Sequence, residues 1–148
     1  MKKMIFLMLL MLGLTVNVNA QGWYSGSSNS GYSQRQSHNA TITIVNRSEY
    51  TLTIKVMYTG GRGLYRTVYI SPKSSSAVSF SRSDNFYYKA KAEKSGLLGE
   101  TLYRKGGVFS VECDESGYTE GTLEFYVSSS GSGSSGQGIS RAEFEKNE

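Results

Sequence analysis

The chain reads as all-β: a small antiparallel sandwich of two sheets with seven or eight strands, flanked by disordered arms. Three observations predict it. Between positions 41 and 128 apolar residues recur at every second position, not at the helical period. Gly, Ser, Pro and Asp clusters cut this stretch into runs of strand length. No run between them carries a helical pattern. A small β-barrel is the alternative architecture.

The runs follow in order. "TITIVN" places Ile42 and Ile44 on one side. "YTLTIKVMY" is the clearest strand, with Tyr50, Leu52, Ile54, Val56 and Tyr58 inward and Thr51, Thr53, Lys55 and Met57 outward. "TGGRG", residues 59–63, is a glycine turn of hairpin length leading into "LYRTVYI". Pro72, the only proline, sits in the loop before "AVSF", which puts Val78 and Phe80 on one face. "NFYYKAKAE" sends Phe86, Tyr88, Ala90 and Ala92 inward and Tyr87, Lys89 and Lys91 outward. "ETLYR" is a weaker strand. "GVFSVEC" groups Phe109, Val111 and Cys113, and "GTLEFYV" groups Leu123, Phe125 and Val127 against Glu124 and Tyr126.

Both ends differ in composition from this domain, which spans residues 41–128. Lys2 and Lys3, the apolar run 5–14, and small residues Val18 and Ala20 form the pattern of a cleaved secretory signal peptide over 1–20. The apolar run is shorter than the roughly 20 residues a membrane span needs. Position 21 is Gln, so the cleavage site is not of the lipoprotein type. The expected destination is the periplasm, cell surface or extracellular space, with no transmembrane segment after cleavage. Residues 21–40 are rich in Gly, Ser, Asn and Gln and read as a disordered arm. Residues 129–148 read as a flexible Gly/Ser linker and a short acidic tail. Ser140 followed by Glu143 fits a capping box for a short helix over 140–146. So short a helix is expected to fray unless something binds it.

Without the leader, 14 basic and 12 acidic residues leave a net charge of +2. The charge is uneven: residues 41–112 carry a net +6 and residues 113–148 a net −5.

Several chemistries find no support. The single histidine, His38, lies in the arm, far from the single cysteine, so no metal-ligand spacing exists and no cofactor is implied. Asp114, Glu115 and Glu120 fit no EF-hand loop and read as an acidic surface turn. No G-x-S-x-G elbow occurs. The glycines of "TGGRG" join two strands, whereas a phosphate loop precedes a helix. Cys113 falls on the inner face, where a thiol acts as a small hydrophobe and core filling. Its neighbours Asp114 and Glu115 disfavour a thiolate. An intermolecular disulfide is its alternative role. The sequence therefore points away from an enzyme.

The residues "TITIVNRSEYTLTIKV", "YRTVYISPKSSSAVSF" and "FYYKAKA" place an Asn-containing turn between two strands, then a strand–Pro loop–strand unit, then an aromatic strand. This arrangement resembles the small immunoglobulin-like sandwich modules of exported bacterial proteins. The antibody-type Cys…Trp…Cys pattern is absent, since Trp23 lies in the arm. The resemblance implies an exported module that binds or builds something, and carries over no named site. Glycosylation acceptor patterns at Asn39 and Asn46 read as chance matches in such a module.

Strict alternation puts Tyr65, Tyr69, Tyr87, Lys89, Lys91 and Tyr126 on outward faces. Tyr stacks on sugar rings while its hydroxyl stays wet, and neighbouring Lys favours anionic polymers. These six residues form the candidate binding face. The expected function is a non-catalytic module that binds an envelope polymer, glycan or protein partner. The alternatives are an assembly subunit whose arms dock on neighbours by strand addition, and a small extracytoplasmic enzyme or enzyme inhibitor. Export argues against nucleic acid as the ligand. Oligomeric state is left open.

Overall fold

A computed structural model describes residues 14–18, 39–96, 99–114, 117–126 and 136–148. The expected leader apart from residues 14–18, the expected arm apart from its last two positions, and residues 129–135 of the expected Gly/Ser linker lie outside these residues.

The fold is an all-β sandwich of two sheets with no closed barrel. Twelve strands occur among the described residues: β1 (Leu14–Val18), β2 (Ala40–Asn46), β3 (Thr51–Tyr58), β4 (Leu64–Ile70), β5 (Ser75–Phe80), β6 (Asp84–Glu93), β7 (Thr101–Lys105), β8 (Phe109–Val111), β9 (Cys113–Asp114), β10 (Gly117–Tyr118), β11 (Glu120–Phe125) and β12 (Gln137–Gly138). One short helix follows, α1 (Arg141–Glu145). The first sheet has the order β1-β11-β2-β5 and the second β12-β7-β6-β3-β4. The two-residue strands β9 and β10 pair only with each other.

The strand-forming runs sit where the period of two placed them. Ala40, Ile42 and Ile44 of β2, Val78 and Phe80 of β5, and Leu123 and Phe125 of β11 face the core. Leu52, Ile54 and Val56 of β3 and Phe86, Tyr88, Ala90 and Ala92 of β6 meet them from the second sheet. β3 and β6 pair antiparallel over eight residues, with Ile54 opposite Ala90. β7 and β8 share one edge of β6, pairing with its C-terminal and N-terminal halves. Between them, Gly106 donates its N–H to the Tyr88 carbonyl at 2.9 Å and continues the ladder.

One pairing is not antiparallel. β11 runs parallel to β2 in register from Glu120↔Thr41 to Phe125↔Asn46. The first and last long strands of the domain are therefore neighbours. On the other edge of β11, the backbone of Leu14–Val18 pairs antiparallel, Leu14 opposite Phe125. These five residues fall inside the segment the sequence assigns to the leader, and three of them, Thr15, Val16 and Val18, are β-branched, which suits a strand.

A buried polar network fixes the turn after β2. Asn46 is fully buried, and its Nδ2 donates to the carbonyls of Tyr50 at 2.6 Å and Ser71 at 2.9 Å. Its Oδ1 accepts from the Ser48 N–H and hydroxyl. The Asn46 amide is thus committed inside the fold, so a sugar acceptor role there is incompatible with the folded state. Asn39, in the other matching pattern, is exposed.

The tail forms the capped short helix, and the second sheet supplies the partner that binds it. α1 does not fray: it is held against the outer face of the second sheet, with Phe144 only 2% exposed. Ser140 caps it, its Oγ accepting from the Glu143 N–H at 3.1 Å. Ahead of the helix, β12 adds an edge strand to β7.

Candidate functional site

Two candidate surfaces emerge, one at an end of the sandwich and one on the outer face of the second sheet. The end site depends on an irregularity in β4. The β3–β4 ladder pairs Ile54 with Val68 and Val56 with Arg66, then Met57 with Leu64. The register shift leaves Tyr65 as an extra residue. A bulge of this kind reverses the facing of the residues beyond it. Tyr65 therefore turns inward, not outward beside Tyr69.

Its ring stacks on Phe80, with centroids 4.9 Å apart and planes 11° apart. Tyr58 meets Tyr65 edge-on at 5.5 Å, and Phe86 lies 5.1 Å from Tyr58. The Tyr65 hydroxyl donates to the Ser79 carbonyl at 2.6 Å. Burial is the main cause that pushes the Tyr65 phenol up from its ordinary value. These rings form the wall of a pocket of about 270 Å³. That is near the low end of small-ligand sites and suits one ring-sized group.

The rest of the pocket is polar. Gly60 and Gly61, both at positive φ, turn the β3–β4 hairpin and bring Arg62 back over the pocket. Arg62 donates from Nη1 and Nη2 to the two Asp84 carboxylate oxygens, at 2.7 and 2.5 Å. Its guanidinium also lies 4.7 Å from the Tyr58 ring centroid. The Arg62 hydrogen bonds, helped by the Asn85 N–H, hold the Asp84 carboxyl below its ordinary value. A second guanidinium, Arg82, is exposed among the lining residues. The pocket thus offers aromatic rings, a fixed donor fork, a carboxylate and a solvent-facing cation. Among the described residues it holds no histidine or cysteine that could act as base or nucleophile.

Of the six residues of the sequence-derived face, Tyr69, Tyr87, Lys89 and Lys91 share the outer face of the second sheet, Tyr69 and Lys91 on either side of Thr53, while Tyr65 and Tyr126 lie elsewhere. Tyr65 lines the end pocket. Tyr69 stands outward on β4, three-quarters exposed. Tyr87, Lys89 and Lys91 lie on the outer face of β6, where Lys105 Nζ sits 4.7 Å from the Tyr87 ring centroid. Lys91 pairs with Glu93 at 2.9 Å. Lys89 points outward as expected but is 0% exposed, because α1 and the residues after it cover it. Tyr126 follows β11, on the other sheet, and its hydroxyl donates to Glu124, which also accepts from Arg47. The Tyr126 and Arg47 hydrogen bonds lower the Glu124 carboxyl from its ordinary value.

Cys113 is half-buried and packs against the core cluster from its rim. Its strand has left the sheet by then: β8 ends at Val111, and the Cys113 N–H donates to Ser83 Oγ at 2.7 Å.

The pocket residues the sequence reading missed were Arg62, Arg82 and Asp84. The glycine turn marked the surroundings of Arg62, but nothing local showed that it meets the start of β6. Among the described residues no group of three or more His, Cys, Asp or Glu is placed to hold a metal ion. No helix among them is long and apolar enough to cross a membrane. Comparison with protein-family models, with curated proteins and with solved structures finds no match to this chain.

Proposed function

We propose that the protein is an exported, non-catalytic binding module that takes one sugar ring of an anionic envelope glycan in the end pocket. The observation that carries this reading is the Tyr58–Tyr65 wall beneath the Arg62–Asp84 clamp, with Arg82 beside it. A sugar ring has apolar C–H faces that pack on aromatic rings, and hydroxyls that suit a guanidinium donor and a carboxylate acceptor. Arg82 supplies attraction for a carboxylate or sulfate on the same polymer. The leader-type amino terminus supports export. On the outer sheet face, the other candidate, the chain's own carboxyl-terminal segment covers Lys89, while Tyr69 stays exposed.

The test is retention of the purified protein on anionic and neutral envelope glycans. Binding to the anionic set is expected, weakened about tenfold in Arg82→Ala, the factor equivalent to about 1.4 kcal/mol. Tyr58→Ala should weaken it at least as much. Retention unchanged in both variants, or no retention on any glycan, would reject the proposal.

A further inference from the structure

The carboxyl-terminal segment is held by an unusual pair of buried cations. Lys55 and Lys89 stand side by side on the outer face, directly opposite in the β3–β6 ladder. Lys89 Nζ donates to the carbonyls of Glu143 at 2.8 Å and Lys146 at 3.0 Å. Lys55 Nζ donates to the carbonyls of Phe144 and Glu145, and to Asn147 Oδ1 at 2.9 Å. Among the described residues, every acceptor these two ammonium groups use belongs to the tail. The cations sit where the carbonyls at the end of α1 are otherwise unsatisfied.

The fit extends along the segment. Phe144 lies between Tyr103, at 5.5 Å, and Lys55, at 4.8 Å from its ring centroid. The backbone at Gly63 passes so close to Asn147 that a Cβ would stand 2.8 Å from its carbonyl oxygen. At the other end, the Ile139 N–H donates to the Tyr103 carbonyl and Arg104 to that of Gly136.

Well-packed apolar residues would close a permanent contact at least as stably as buried ions. Lysines have a different advantage: when the segment leaves, their ammonium groups return to water and the open face stays wettable. Residues 127–135, almost entirely Ser and Gly, join the segment to β11 and reach about 30 Å when extended. That length lets the segment dock on its own domain or on a neighbour.

We propose that this groove binds the carboxyl-terminal segment of a second copy of the chain, so that two copies exchange tails reciprocally. The ligand is specific: an extended Gln-Gly pair, an aromatic anchor, and a helix end that presents carbonyls to two lysines. Exchange of an identical element preserves every contact of the closed form. It prevails as protein concentration approaches the effective concentration of the tethered tail, on the order of millimolar. Crowded display on a surface would have the same effect.

The experiment mixes isotope-labelled with unlabelled purified protein at millimolar concentration and records filtered contacts between copies, alongside the mass in solution. The expected result is a doubling of mass together with Phe144–Tyr103 contacts between different copies. Both should disappear in Phe144→Ala, while the sandwich core spectrum persists. A species of monomer mass at every concentration overturns the proposal. A dimer whose Phe144–Tyr103 contacts stay within one copy overturns it equally.

Discussion

Tyr65 lies flat on Phe80, 4.9 Å between ring centroids, because a register shift in β4 turns it into the sandwich. Replacing Tyr65 with Ala removes a half-buried ring from this stack. A loss of about 2 kcal/mol is expected, below the full cost of truncating a completely buried aromatic. Tyr65→Phe keeps the stack and loses only the hydrogen bond to Ser79, costing about 1 kcal/mol. Urea unfolding of the two variants measures the difference.

Asp84 gives a pH signature. Its carboxyl is held below the ordinary value of 3.8 by Arg62 and the Asn85 N–H. A depressed folded-state value means the contribution to stability is complete above the unfolded value. It is lost as pH falls through the folded value. The wild type should therefore exceed Asp84→Asn in thermal midpoint at pH 7, and the gap should close below about pH 4. A gap independent of pH from 2 to 7 would contradict this origin.

Gly106 is the position where β7 gives way to the approach to β8. A Cβ on half-buried Gly106 would stand 1.9 Å from the ring of buried Tyr88. Gly106→Ala should cost about 1–3 kcal/mol through overpacking. Tyr88 also reports on alkaline stability, since burial pushes its phenol up to about 12. A raised value of this kind contributes stability up to the unfolded value of 10.0, and that stability is lost as pH rises toward 12. Absorbance titration should show Tyr88 ionising among the last tyrosines, together with Tyr50, which burial and Glu100 also push up to about 12.

Asn46→Ala should cost about 3 kcal/mol. It leaves the buried Tyr50 carbonyl and the Ser48 N–H without their partner, and each orphaned buried group costs roughly 1–3 kcal/mol. Thermal unfolding of the variant checks the magnitude. A change under about 0.5 kcal/mol would resemble a surface substitution and rule out a structural role.

What the sequence disclosed follows the range of each physical signal. Alternation within one strand is local, so the inward sets of β2, β3, β5 and β6, and Leu123 and Phe125 of β11, could be read residue by residue, while Val127 lies outside the described residues. Tyr65 was misplaced because one extra residue in β4 reverses the facing of its neighbours. Such a bulge leaves no mark in composition. The outward direction of Lys89 was legible, but its burial depends on residues 54 and more positions away in the chain. The "SRAEF" cap was visible too, while the groove that retains the helix is shared among β3, β6 and β7. The end pocket was hidden for the same reason: Arg62 lies in the β3–β4 turn and Asp84 opens β6, and only the folded sheet sets them within hydrogen-bond distance.

The parallel ladder of β2 and β11 also decides how the module bears tension. A pull between the segment before β2 and the segment after β11 acts along both strands in opposite senses. All six pairings from Glu120↔Thr41 to Phe125↔Asn46 then carry the load at once. They must slide in shear to yield, whereas a hairpin pulled from its open end unzips one pair at a time. A module anchored at one end and gripped at the other would thus resist force far better than its equilibrium stability implies.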